Sequence, residues 1–526
     1  MKIKNIIYAV GLMLVSSACS KDYLDTLPES SVGTSTIFES AENAKLAING
    51  ICKMMTTQYL STQGLNGEGS IKNWYGNYSG NDTQKSNLTG WATLINMTYF
   101  ESANSTYLTF PWYYYYKMIG NANAIIVNFN EISDSDPEKA EKQFIKAQAL
   151  TFRAYAYSQL ARFYCYRWSD TNNGATRGLP LRLDDSVGDL EASTVAETYA
   201  QIYADLDEAI QLYGTSGLDR ETGDLYSPNL SVAYAVYARA ALNREDWTNA
   251  AKYAPMARNG YPLMSNTDYY AGFSKPTSEW IWEVYDATDQ TIYYYSWLAY
   301  LASNSNASVC RSYPFTISRE LIEQIPESDV RRDLYLVPQT DEEWASITKS
   351  TGRTSSGALY KRAQTDYASR VYSTSYIFAY MHFKFLVQDN PGVGEQPIFR
   401  SAEMYYIEAE AKCHLGGNDA SVQDLLYELT NKTGRDPEYQ KSTKTGADLL
   451  EEVKLYRRFD LWGEGFDFFD YKRWGQPIQR KTYDNGGNWH ATFAVTVQPS
   501  ESNKWTMVYP KRETDYNKGV TTYPNN

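Results

Sequence analysis

The chain has 526 residues, with 49 Lys and Arg against 62 Asp and Glu, a net charge of −13 and a pI near 5.0. That balance lacks the basic footprint that nucleic-acid binding requires. Mean hydropathy is −0.52, and after residue 15 no apolar run approaches the ~20 residues of a membrane helix. Length alone suggests two to four domains, a range that helical repeat folds exceed. Aromatic residues make up 15% of the chain, with 47 Tyr and 13 Trp. Some must be core. The rest offer a flat apolar face with a polar edge, which suits recognition, and the C–H faces of sugar rings are one natural partner.

The N-terminus reads as an export signal. Lys2 and Lys4 precede the apolar run Ile6 to Val15, and Ser16-Ser17-Ala18-Cys19 follows. A basic start, a short apolar segment and small residues make a secretory signal over residues 1–18. Cys19 directly after them matches a bacterial lipobox, whose Cys becomes the lipidated (palmitate-bearing) first residue. Residues 19–39, polar and containing Pro28, read as a tether. The four other cysteines, Cys52, Cys165, Cys310 and Cys413, show no paired spacing; an exported protein permits a disulfide but the sequence chooses no connectivity, and mostly buried thiols are expected.

A helix is predicted from Ser40 to Gln58, with Ser40 as N-cap. Ser61 to Phe110 then changes character. It is rich in Gly, Asn, Ser and Thr, carries Trp74, Tyr75, Tyr78, Trp91 and Tyr99, and shows no helical period. A long irregular segment rich in aromatics points to function rather than disorder. Helices resume at Trp112 to Asn130. The stretch Glu141 to Trp168 has no Gly or Pro, and Ala147, Leu150, Ala154, Tyr157, Ala161 and Tyr164 mark one apolar stripe. At 1.5 Å per residue it would span about 42 Å. Thr194 to Tyr213, Leu230 to Leu242 and Trp247 to Asn259 follow, as helix pairs resembling tetratricopeptide repeats. Tyr261 to Ser318 is a second aromatic, loop-rich region, and 328–397 is poorly periodic. Helices are predicted again at Ser401 to Leu415, Asp419 to Thr430 and Asp448 to Leu461. A small hairpin is expected from Thr492 to Val497 and Trp505 to Tyr509.

Signals for catalysis are weak. His382, His414 and His490 show no metal-ligand spacing. Ser346 to Lys349 matches S-x-x-K and Lys432-Thr433-Gly434 matches K-T-G, but no Ser-Asp-Asn lies between them. Neither a nucleophile elbow nor a phosphate-cradling glycine pattern occurs. The 62 acidic residues could supply a glycosidase pair, yet the sequence singles out none. The reading is a non-enzyme with no cofactor and no metal.

Five stretches in order resemble the SusD/RagB family of Bacteroidetes outer-membrane lipoproteins. They are Asp22-Tyr23-Leu24-Asp25 with Pro28 and Ile48-Asn49-Gly50; Phe152-Arg153-Ala154-Tyr155 with Gly178-Leu179-Pro180-Leu181; Arg400 to Ala411; Arg457 to Trp474; and Tyr509-Pro510, Glu513 and Asn517. In the fourth, Asp460 replaces a Glu, Asp467 stands where Arg is common, and Tyr471 replaces Leu. The resemblance implies a mainly α fold with tetratricopeptide-like helix pairs, long aromatic loop insertions and a single domain over 40–526. It implies a lipid-anchored protein on the outer face of the outer membrane. Its partner would be a SusC-like TonB-dependent β-barrel transporter, to which it delivers an oligosaccharide. Glu403, Glu408, Glu410, Arg457, Arg458, Glu464 and Asp470 are expected as ion pairs between C-terminal helices. The ligand site is placed in the two insertions: Trp74, Tyr75, Asn77, Asp82 and Trp91 from the first, Tyr293, Tyr294, Tyr295 and Trp297 from the second. Aromatic faces would stack on sugar rings while Asn and Asp bond hydroxyls. The alternatives are peptide capture by the same architecture and a surface glycosidase.

Overall fold

The structure is a computed structural model that describes residues 37–60, 64–86, 89–286, 295–501 and 504–522. The signal segment 1–18, Cys19, the tether up to residue 36, and Tyr293 and Tyr294 lie outside the described residues.

The frame is helical: α1 (Ala41–Met54), α2 (Thr106–Asn128), α3 (Lys139–Tyr164), α4 (Val195–Ser216), α5 (Leu230–Asn243), α6 (Trp247–Ala257), α7 (Trp297–Leu301), α8 (Ser401–Leu415), α9 (Asp419–Tyr427), α10 (Gly446–Asp460) and α11 (Asp467–Trp474). Each long helix packs chiefly on its neighbour in sequence, α2 on α3, α3 on α4, α4 on α5 and α5 on α6. The row then continues from α6 directly to α8, and from α8 to α9 and α10. The second insertion is thus looped out of a continuous helical stack, as a tetratricopeptide-like scaffold allows. Short antiparallel pairs stitch distant segments together: β1 (Thr83–Lys85) with β3 (Phe315–Ile317), β2 (Trp280–Asp286) with β4 (Gly394–Arg400), and β5 (Ile478–Gln479) with β6 (Thr496–Val497). The small C-terminal pair therefore forms at Thr496–Val497, but with Ile478–Gln479 as its partner. Trp505 and Thr506 sit in a turn instead, and the chain after them pairs outside any strand, Met507 N donating to Phe163 O at 2.9 Å and Val508 N to Phe100 O at 3.1 Å.

Local chemistry sets several helix ends. Ser40 caps α1 by accepting the Asn43 amide at 3.2 Å. Thr194 and Glu197 form a capping box on α4. α3 ends at Tyr164, four residues before its predicted end. Cys165 turns extended, and the Lys472 ammonium takes the Arg162 and Cys165 carbonyls at 2.7 and 2.8 Å. From Ile145 onward α3 is buried nearly all round rather than along one stripe. Its polar groups are satisfied internally, Arg153 by Asp205 at 2.6 and 2.8 Å and Gln148 by Pro228 O at 3.0 Å. α2 begins six residues before the predicted start and runs through Pro111. Proline cannot donate to the carbonyl four residues back. Here the Tyr75 hydroxyl donates to that carbonyl, Tyr107 O, at 2.6 Å. The Tyr164 hydroxyl likewise bridges Trp112 N (3.0 Å) and Leu108 O (2.5 Å). Two hydroxyls thus take over a broken stretch of helix ladder. Among the described cysteines all four are free, Cys165 and Cys310 buried, Cys52 and Cys413 half-buried.

The C-terminal helices hold the insertions through buried ion pairs. Arg400, at the start of α8, donates to Glu279 (2.6 Å), Asp460 (2.8 Å) and Glu464 (2.8 and 2.9 Å). Arg331 reaches Asp329 at 2.6 Å and Asp460 at 3.2 Å, Lys384 reaches Glu464 at 2.8 Å, and Arg435 lies 3.5 Å from Glu279. Four acids face four bases, so the cluster is electrically balanced. Burial pushes the Asp460 carboxyl up, but Arg400, Arg435 and Arg331 outweigh it and hold it well below the usual carboxylate range. Glu410 pairs with Arg473 and Arg457 with Asp470 between C-terminal helices as expected, whereas Glu403 and Glu408 reach back to Arg239 on α5 and Arg258 at the end of α6. Arg458 pairs instead with Asp82 of the first insertion. Removing one partner of such a cluster leaves uncompensated buried charge. Arg400→Met is expected to lower unfolding free energy by about 3–5 kcal/mol, read from urea denaturation with tryptophan fluorescence.

Candidate ligand-binding site

Residues 64–86 of the first insertion are buried throughout. Gly67–Ser70 forms one α-turn and Ile71–Asn77 continues it as a π-helical stretch, and every residue from 67 to 77 is buried. A π-wound segment buried on all sides carries no amphipathic stripe, which is why no helical period shows in the sequence. Gly76 lets it lie against another backbone, since a Cβ there would stand 2.2 Å from Gly465 O. Its charged residues are paired inside. Glu68 accepts the hydroxyls of Tyr155 (2.8 Å), Tyr114 (3.0 Å) and Tyr115 (3.2 Å). The Lys72 ammonium donates to Pro397 O and lies 4.9 Å from the Trp297 ring.

Five of the nine predicted site residues serve this interior. Trp74 and Tyr75 are each 1% exposed and Asn77 and Trp297 0%. Asn77 donates to Gly463 O at 2.8 Å and accepts Gly465 N at 3.0 Å. Asp82 takes the Arg458 guanidinium on both oxygens, at 2.7 and 2.8 Å, and the Ser318 hydroxyl at 2.9 Å. Polar groups so occupied have no capacity left for sugar hydroxyls. The neighbouring backbone is fixed too, the amides of Asn81, Asp82 and Thr83 converging on the Asp467 carboxylate at 2.7–2.9 Å. That explains an acid where an Arg was expected, because a guanidinium accepts no hydrogen bond.

What reaches the surface is the edge of this packing, where the two insertions meet. Trp74 stands at the centre of an aromatic junction. Its ring lies 5.0 Å from Trp91 (38° between planes), 5.6 Å from Tyr107 and 5.8 Å from Tyr300, the last two edge-on. Tyr295 packs 6.1 Å from Tyr300. Trp91, Tyr107 and Tyr295 are half-buried, so each keeps part of a ring in solvent. These spacings are those of favourable aromatic pairs. Asn66 holds the Tyr295 carbonyl at 2.6 Å and Asn73 the Trp297 carbonyl at 3.0 Å, while Ser296 caps α7. Gly64 (φ +91) closes the floor; a Cβ there would stand 2.6 Å from both Trp74 and the Tyr300 hydroxyl. The Trp74 indole N–H has no partner among the described residues. Of the predicted residues, Trp74, Trp91 and Tyr295 come together. Tyr107 and Tyr300 were not singled out. Tyr300 follows Trp297 by three positions on α7, a helical spacing that places it beside the same surface.

The arrangement offers flat apolar faces on a rigid base. Two cavities, about 430 and 330 Å³, lie elsewhere, beside α1; their walls include Phe144 and Tyr226 but no ring of the junction. Platform stacking asks for an exposed ring plane rather than depth, so the junction is the better fit to a sugar. Among the described residues no group of His, Cys, Asp and Glu is placed to hold a metal ion, and no helix is long and apolar enough to cross a membrane.

Residues 22–242 match the sequence profile of a SusD-like family described as starch-binding and associating with the outer membrane, and residues 241–524 match the profile of the SusD family. The fold recurs in solved structures. A SusD-like carbohydrate-binding protein from Bacteroides vulgatus is 22% identical, with 93% of this chain and 98% of that one covered and a TM-score of 0.74. A SusD superfamily protein from Bacteroides thetaiotaomicron is 23% identical, with 92% and 100% covered and a TM-score of 0.72. A SusD-like carbohydrate-binding protein from Bacteroides fragilis is 16% identical, with 92% and 100% covered and a TM-score of 0.66. Identity at this level speaks for the fold alone. No curated protein matches the sequence.

Lys72 beneath the junction yields a pH test. Burial brings its ammonium down from 10.5 to about 7, against the pull of Glu464 and Glu68. Below pH 7 folded and unfolded chains both carry the charge, and the folded state bears the full cost of burying it. Between pH 7 and 10.5 the folded chain sheds its proton first, so stability rises with pH at up to about 1.4 kcal/mol per unit. Lys72→Met is therefore expected to stabilise the protein by a few kcal/mol at pH 6, with the gain shrinking as pH approaches 10. Chemical denaturation at pH 6, 8 and 9.5 measures it, and an equal difference at all three values would contradict the assignment.

Proposed function

The chain belongs to the SusD family, and from that membership we propose that it is a cell-surface lipoprotein that binds an oligosaccharide and delivers it to a SusC-like TonB-dependent outer-membrane transporter. The observation that carries the sugar reading is the aromatic junction, where Trp91, Tyr107 and Tyr295 show part of their rings over a base fixed by Trp74 and Tyr300. Tyr293 and Tyr294, which precede Tyr295 in sequence, belong to the same proposed site. Ring faces gain from C–H contact with a pyranose, and the hydroxyls of Tyr107 and Tyr295 supply polar partners at the edge. Two of the similar structures are titled carbohydrate-binding proteins, which agrees with this assignment. Binding without turnover fits a platform of rings better than a pair of facing carboxylates.

Localisation follows from the sequence. Residues 1–18 direct export, Cys19 takes the acyl chains, residues 19–39 form the tether, and residues 40–526 are the binding domain. Several acyl chains on one Cys anchor firmly, at about 0.8 kcal/mol per buried CH₂.

Two measurements check these points. Isothermal titration against a panel of oligosaccharides should find at least one binder. Trp91→Ala or Tyr295→Ala should weaken it about tenfold, in line with ~1.5 kcal/mol per aromatic contact, with thermal stability nearly unchanged. Binding of peptides and of no glycan would favour the other cargo, and hydrolysis of the bound sugar would favour the glycosidase. Cys19→Ala should move the protein from the membrane to the soluble fraction; its retention there would count against the anchor.

A further inference from the structure

A groove beside α1, away from the aromatic junction, has the features of a second binding site. Its larger cavity, about 430 Å³, is floored by Ile48, Phe144 and Ile145, with Leu218 on its edge 40% exposed. The smaller, about 330 Å³, abuts it through the shared residues Asp224 and Ser227.

The charges around the groove are lopsided. Six acidic side chains line the larger cavity against Lys45 and Arg220, and Asp224 and Glu283 line the smaller one against Lys53. Lys45 is taken by Glu221 at 2.5 Å. Arg220 turns its guanidinium to Ser227 O, Ile281 O and the Tyr261 hydroxyl, at 2.9–3.0 Å. Among the described residues Glu42, Glu141, Asp219 and Asp224 belong to no ion pair. A rim of that kind focuses a negative potential over the groove.

A second, independent feature lies at its inner end. Glu283 on β2 is 2% exposed and lines the smaller cavity, and its Oε2 has no hydrogen-bond partner among the described residues. Burial, with Glu395 and Asp224 nearby and Arg220 opposing, pushes its carboxyl up to about 8. A buried carboxyl oxygen without a donor costs free energy that an incoming donor would recover.

The chemistry of the occupant follows. A neutral sugar would make no use of the unpaired acids, and Phe144 is packed edge-on against Tyr213 at 5.4 Å rather than free as a platform. The chain's own N-terminal segment, residues 20–36, carries Lys21 against Asp22, Asp25 and Glu29, so it is acidic like the groove. The complementary chain must come from another molecule. We propose that the groove is a docking site for a basic segment of a partner polypeptide. Its Lys or Arg heads lie along the acidic rim, one aliphatic side chain rests on the Ile48–Phe144–Ile145 floor, and one cationic head bonds to Glu283.

The test uses the full-length protein and a fluorescein-labelled hexapeptide, KLKKLK, followed by anisotropy at 50 and 300 mM salt. Saturable one-to-one binding is expected. It should fall at least tenfold when the peptide lysines are acetylated. It should also fall at least fivefold in Glu283→Gln and, separately, in the Glu42→Gln/Asp219→Asn double variant, while oligosaccharide binding is retained in both. Absence of saturable binding would overturn the proposal. So would unchanged affinity in both variants, because the peptide would then be responding to the overall −13 charge. Loss of glycan binding in Trp91→Ala with peptide binding intact would keep the two sites distinct.

Discussion

The structure depends on the burial of one short segment, Gly67–Asn77, on every side. Burying a stretch that holds Glu68, Lys72, Asn73 and Asn77 is tolerable only if each polar group finds a partner. Three tyrosine hydroxyls serve Glu68, the Pro397 carbonyl serves Lys72, and the α10–α11 turn serves Asn77. These partners come from α2, α3, β4 and the C-terminal helices. The segment is therefore a hub against which the stack, the second insertion and the C-terminus are fitted. The same demand shapes α2, whose Pro111 leaves Tyr107 O open for the hydroxyl of Tyr75 on the hub.

The ion pairs extend this logic outward. Asp82 and Asp467 fix residues 81–83 to α10 and α11, and Arg400 gathers Glu279 from ahead of β2 and Asp460 and Glu464 from the end of α10 and the turn after it. Such clusters add little stability over apolar packing, but they specify which segments meet. Trp74 is buried in the rigid hub, the half-buried Trp91 and Tyr107 pack directly on it, and Tyr295 joins through Tyr300. A recognition surface built on a scaffold this constrained loses little entropy on binding.

The sequence shows the frame well and the site only in outline. α4, α5, α6 and α8 fall within a few residues of their expected bounds because each has a strong period and clear ends. α3 runs four residues short because Lys472, more than 300 positions away, takes its last carbonyls; nothing local announces that. Residues of both aromatic insertions do meet, with Trp74, Trp91 and Tyr295 joined through Tyr300. The direction of the side chains was not legible. Trp74, Tyr75 and Asn77 point inward because segment 67–77 is π-wound and fully enclosed, a state without periodic signature, whereas Asp82 is held by Arg458 and Ser318 and Trp297 is buried on α7 against Lys72 and Phe385. Tyr107 was hidden at the start of a helix whose onset the sequence masks with Pro111.

The central claim is that a sugar rests on the aromatic junction. A crystal structure of the protein with the tightest-binding oligosaccharide of a panel tests it most directly. The account predicts a pyranose stacked on Trp91, about 4 Å from its ring plane, and bordered by Tyr107 and Tyr295. A sugar seated instead in the groove beside α1, with Trp91 and Tyr295 untouched, would contradict it.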